Sequence, residues 1–91
     1  MSASKDSLKR FGQALRQRRE ARGFTREKLL TRMSDLASER YPGRRVPDVS
    51  TIARWERGEQ CPRSFHLRLV CEVLQVKPED LGYPKPSRRR P

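Results

Sequence analysis

The apolar residues of this chain fall into clusters spaced by three and four, and no alternating run appears anywhere. Leu8, Phe11 and Leu15 stand at i, i+3 and i+7, which is one face of a helix. Leu29, Met33, Leu36 and Ala37 repeat the spacing, as do Leu67, Val70, Cys71 and Leu74. Between them Ile52 and Trp55 stand three apart. A half-buried strand would need period two, so the expectation is an all-α fold. Local stop and start signals divide it. Gly23 ends a first helix of about 7–22, and Thr25 can cap a second, with Glu27 in its first turn. Lys28 stands where a capping box would want Glu or Gln. The second helix runs to about Arg40, where Tyr41-Pro42-Gly43 breaks it. Asp48 caps a third helix closed by Gly58, Ser64 can cap a fourth, and Pro78 opens a short fifth turn. The result is a small bundle of four to five helices.

With 91 residues the chain is expected to hold one small domain. Residues 1–6 read as a flexible N-terminal arm, 7–83 as the folded domain and 84–91, which ends in KPSRRRP, as a disordered basic tail. A chain of this size buries only about 60–70% of its unfolded surface, which leaves little room for a deep catalytic cleft. Cys61 and Cys71 are too few for a disulfide framework, and no Cys/His spacing suits zinc. His66, the only histidine, reads as a partly exposed helix residue. No run suits a signal peptide or a membrane span, and a cytoplasmic, nucleoid-associated location is expected. The charge is lopsided: 22 Lys plus Arg against 11 Asp plus Glu, a formal net charge of +11. Such a field draws polyanions, nucleic acid first and an anionic membrane surface second.

The third helix carries the sharpest reading. Ile52 and Glu56 are four apart and share a face, with Trp55 beside them. That face must turn inward to bury Ile52 and Trp55, and Glu56 is drawn in with it. A buried carboxylate is costly unless paired. Arg19 has the mirror problem, because it continues the Leu8–Phe11–Leu15 face of the first helix. An Arg19–Glu56 ion pair bridging helices one and three answers both. The opposite face carries Ser50, Ala53, Arg54 and Arg57, with Val49 and Thr51 in the first turn. A helix with short first-turn side chains can enter the major groove, about 12 Å wide, and an arginine there can give two donors to guanine O6 and N7.

The stretches LRQRREARGFTREKLL, STIARWERGEQCP and LRLVCEVLQVKPEDL together resemble the helix-turn-helix domain of the phage repressor, Cro and xenobiotic-response-element-like regulators, over about Leu8 to Leu81. The resemblance implies a sequence-specific duplex-DNA-binding transcriptional regulator of bacterial type, with a recognition helix over about 48–57. Asp48 then stands where the family caps that helix, and Val49, Ser50 and Arg54 at its usual base-contacting positions, with Thr51 and Ala53 near base edges or backbone. Thr25, Arg26, Arg57 and Arg63 match positions that meet the DNA backbone, and Arg19 and Glu56 match a structural ion pair. The chain departs from the pattern in two ways. About a dozen extra residues, roughly 34–45, separate helices two and three, and Leu30 stands where alanine is usual. Either helix two is longer, or the loop is, or both. Arg40, Arg44 and Arg45 of that insert read equally as DNA-backbone contacts or as a solvated basic loop.

Duplex DNA is the expected partner, with no cofactor, no metal and no small-molecule effector within this chain. A homodimer on a symmetric site is compatible with the resemblance. The apolar segment around Val76, Leu81 and Tyr83 would then be either the dimer surface or plain core. An antitoxin-like or other protein-partner-binding module on the same fold is the second reading. An enzyme such as a nuclease is a remote third, because paired carboxylates with metal-site logic, an activated nucleophile and a phosphate-cradling glycine loop are all missing from the sequence.

Overall fold

The computed structural model describes residues 5–82, Lys5 by its backbone alone. Four α-helices follow in order: α1 Lys5–Ala21, α2 Arg26–Arg40, α3 Val49–Glu56 and α4 Ser64–Leu74. A 3-10 turn, Pro78–Leu81, comes last. No strand occurs among the described residues, and the class is an all-α bundle. Helix α1 packs on α3 and on the 3-10 turn, while α2 packs on α4 and α3. The core fills the space between, with Phe11, Leu15, Leu29, Met33, Ile52, Trp55, Leu69 and Val70 closed off from solvent. Each such side chain contributes about 1.5–3 kcal/mol when buried. Leu69, outside the periodic series on α4, is part of this core as well.

The helix ends follow the sequence signals closely. Thr25 Oγ1 accepts from Lys28 N at 3.0 Å and caps α2. Gly23, at φ 75°, ends α1 in a Schellman arrangement: Phe24 N–H donates to Arg19 O at 3.1 Å and Gly23 N–H to Glu20 O at 2.9 Å. Gly58, at φ 79°, closes α3 the same way, with Glu59 N–H on Arg54 O at 2.9 Å.

Several expectations are corrected. Helix α1 begins at Lys5, so residues 5 and 6 of the supposed arm are helical; residues 1–4 lie outside the described residues. Tyr83 and the tail 84–91 lie outside them too. Ser64 does not cap α4: Arg63 takes the N-cap position, with no side-chain hydrogen bond. The short side chain of Ser64 stands one residue too late to reach back over the first N–H groups. Leu81 is fully buried and Val76 packs against the core. Leu81 is therefore core and offers no surface to a second chain.

The lengthened connection is resolved as both alternatives at once. Helix α2 continues for 15 residues to Arg40, and an irregular loop then runs from Tyr41 to Asp48. Its turn is closed by Arg44 N–H on Tyr41 O at 3.1 Å, with Gly43 at φ 87°. The loop is held down by its first aromatic ring: Tyr41 meets Phe65 of α4 edge-on, with centroids 5.3 Å apart.

Candidate nucleic-acid interface

The site rests on how α3 is fixed from behind. Arg19 Nε donates to Glu56 Oε2 at 2.6 Å and its Nη2 to Oε1 at 3.1 Å, a two-point grip. Arg19 Nη1 donates to Phe24 O at 2.8 Å, which ties the α1–α2 turn into the same knot. Arg26 supplies a second cation, with Nε 3.0 Å from Glu56 Oε1. The Glu56 side chain is only 1% exposed, so these donors replace the water it has lost. The hydrogen bond that Arg19 donates to Glu56 is also the leading reason that its guanidinium is held above its ordinary pKa, against the effect of its own burial.

A second device brings α1 against the end of α3. A Cβ on Gly12 would lie 2.5 Å from the Trp55 carbonyl oxygen and closer still to that of Glu56. Only a residue without a side chain lets α1 cross there. Gly58 answers from the turn that closes α3: a Cβ on it would sit 2.9 Å from Lys9 Cα. In the sequence Gly12 is a lone glycine inside a helical pattern, a choice that costs about 1 kcal/mol against alanine, and its packing partner could not be read there.

With its back fixed, α3 turns its other side outward. Ser50, Arg54 and Arg57 are exposed, while Val49, Thr51 and Ala53 are half-buried. The cap organises the first turn. Asp48 Oδ1 accepts from Thr51 N at 2.9 Å, from Ser50 Oγ at 2.9 Å and from Thr51 Oγ1 at 2.9 Å. Those bonds, led by the Thr51 N–H, hold the Asp48 carboxyl below its usual range. An ionised carboxylate only accepts, so each hydroxyl spends its single proton on it. What Ser50 and Thr51 offer beyond the cap is oxygen lone pairs.

Of the expected backbone-contacting residues, Thr25 and Arg57 are exposed. Arg57 is held by Glu59, Nε to Oε2 at 2.8 Å. Arg26 is half-buried and bound to Glu56. Arg63 is exposed and lines a shallow concavity with Gly43, Arg44, Arg45, Ser64, Phe65 and His66. His66 is half-buried, with its ring near Trp55 and its Nε2 3.3 Å from Arg45 O. The insert's three arginines separate: Arg40 pairs with Glu72 at 3.1 Å, whereas Arg44 and Arg45 form no ion pair with any described carboxylate.

Groups for other chemistry are sparse. Among the described residues no set of three or more His, Cys, Asp or Glu could hold a metal, and no helix is long and apolar enough to cross a membrane. Burial pushes the Cys61 thiol up and the Cys71 thiol to about 11, so neither is an activated nucleophile near neutral pH.

A short capped helix held against two others, with polar groups on its free side, is the arrangement of a helix-turn-helix module. Residues 48–81 match the family model described as helix-turn-helix, which supports a helix-turn-helix module of the DNA-binding kind there. The match begins at the Asp48 cap, immediately after the lengthened connection, and runs through α3, α4 and the 3-10 turn. No curated protein and no solved structure matches the chain.

Proposed function

We propose that the protein is a transcriptional regulator, located with the nucleoid in the cytoplasm, that reads duplex DNA sequence with the free side of α3. The observation that carries this is the division of α3. Ile52, Trp55 and Glu56 are committed to the core, which leaves Ser50 and Arg54 exposed on a capped, rigid helix. At eight residues α3 is about 12 Å long, comparable with the width of the major groove. Arg54 is the donor of the pair of roles and contacts guanine O6 and N7. Ser50, with its proton on Asp48, accepts from cytosine N4 or adenine N6. Val49, Thr51 and Ala53 lie against base edges or sugar, and Thr25, Arg26, Arg57 and Arg63 meet phosphates. Selection of bound sites from random duplex DNA tests the reading, with cross-linking to count the chains on each site. A recurrent short sequence containing guanine is expected, bound with an affinity that falls steeply with salt, by a log–log slope of about −0.9 per phosphate contacted. Recovery of no preferred sequence would contradict it.

A further inference from the structure

From the geometry of the lengthened α2–α3 loop we infer that Arg44 and Arg45, together with Arg63, form a phosphate clamp that grips duplex backbone beside the bases read by α3. This rests on the proposed reading of α3 and adds a second contact to it. The three arginines come from the two loops that flank α3, and they meet over one concavity. Arg45 is joined to the other side of that concavity through its carbonyl oxygen, 3.3 Å from His66 Nε2, and the His66 ring in turn lies 6.0 Å from that of Trp55. The patch is therefore tied, through His66, to the Trp55 that anchors α3 from within.

The loop does more than carry charge. The Arg44 guanidinium lies over the Phe65 ring, 4.0 Å from its centroid, and Tyr41 braces that ring edge-on. A guanidinium stacked on an aromatic face has its plane set before any ligand arrives, so less freedom is lost when its edge donors meet phosphate oxygens. Arg40, five residues before Arg45, is turned away to Glu72. The nearby acids are already committed: Asp48 to the α3 cap, Glu56 to its buried pair and Glu59 to Arg57. Among the described residues no carboxylate forms an ion pair with the cations of the clamp, an arrangement that suits a run of phosphates spaced along a backbone.

The test compares five proteins on the selected duplex and on a random duplex in a salt titration: wild type, the Arg44→Ala/Arg45→Ala double variant, the corresponding Lys/Lys variant, Arg40→Ala and, as the control for base reading, Arg54→Ala. The double variant is expected to flatten the log–log salt slope by about 1.8, two phosphates' worth. The advantage of wild type over it then shrinks about tenfold between 50 and 200 mM salt. Both duplexes are affected alike and base preferences stay intact, because phosphates carry no sequence information. Lys/Lys restores the slope, and Arg40→Ala leaves it as in wild type. Thermal melts keep the comparison sound, since Arg44 and Arg45 are exposed. An unchanged slope in the double variant, while Arg54→Ala still alters base preference, overturns the clamp alone. A flattened slope in a protein that prefers no sequence leaves the clamp standing and removes the reading of α3. Duplex binding untouched by the double variant, with loss of binding to poly-glutamate instead, would mark the patch as a surface for acidic protein and also overturn the clamp.

Discussion

Glu56 and Glu59 stand three residues apart at the end of α3, and each accepts hydrogen bonds from an arginine. Their surroundings differ in every other respect. The Glu56 side chain is 1% exposed and grips Arg19 and Arg26, whereas that of Glu59 is 52% exposed and meets only Arg57. The first pair bridges residues 37 apart in sequence and fixes the angle of α3; the second joins neighbours two apart. Identical chemistry thus serves two ends. Behind α3 it is structure, and in front of it is a reserve of charge that a phosphate can draw on. The contrast teaches that the +11 charge is not one reservoir: Arg19 is spent on folding, and Arg54, with Arg44, Arg45 and Arg63, is kept for the surface.

The strongest way to break the comparison is to remove each glutamate in turn. Glu56→Ala strands Arg19 in the core without its carboxylate and is expected to cost roughly 3–5 kcal/mol, enough to unfold a small domain at moderate temperature. Glu59→Ala should leave the melting temperature where it was. Equal melting temperatures for the two variants would mean that Glu56 is solvated. The next effect attacks the same side of α3 by volume instead of charge. In an exposed helix Gly→Ala gains about 1 kcal/mol. At Gly12 the added methyl meets backbone oxygens that cannot step aside, so overpacking of about 1–3 kcal/mol or more is expected to win. A Gly12→Ala protein that melts higher than wild type would place α1 further from α3.

The front of α3 is expected to respond more gently, and to acid. Asp48 has a folded pKa below its unfolded value of about 3.9, so its contribution is complete above that value and is lost as pH falls through the lower folded one. Asp48→Asn should therefore flatten the acid limb of stability below about pH 4 without changing its shape near neutrality. A stability–pH curve identical to that of wild type would show that the cap does not draw on the ionised carboxylate. The smallest structural change is again Glu59→Ala, now read on DNA: freeing Arg57 should tighten random and selected duplex alike at low salt and steepen the salt slope. Unchanged binding would mean that Arg57 lies away from phosphates.

Much of this was legible in the chain. Helix spacing and the caps at Thr25 and Asp48 follow from local chemistry that sequence carries directly. The Arg19–Glu56 pair was readable because both charges interrupt apolar faces, and a helix face is a property of spacing alone. Arg26 joining that pair was not, since it depends on where the start of α2 meets the end of α3. Nor was the crossing at Gly12, which needs the partner's backbone. The contacts of Arg44 and Tyr41 with Phe65 join residues more than twenty apart across an irregular loop, and loops have no period to read. Ser64 failed as a cap because the helix started one residue earlier than the usual capping side chain suggests.

The central claim is that the free side of α3 chooses the bases. Arg54 and Arg63 carry the same charge and are both exposed, but Arg54 lies on the helix and Arg63 in the loop beyond it. Competition of Arg54→Ala and Arg63→Ala against a panel of single-base changes in the selected site separates reading from gripping. Arg54→Ala is expected to lose about 1–3 kcal/mol on the preferred site and to become indifferent at one base pair. Arg63→Ala is expected to weaken every duplex equally and to reduce the salt slope by about one unit. Base preferences left whole by Arg54→Ala would contradict the claim and move the reading surface off α3.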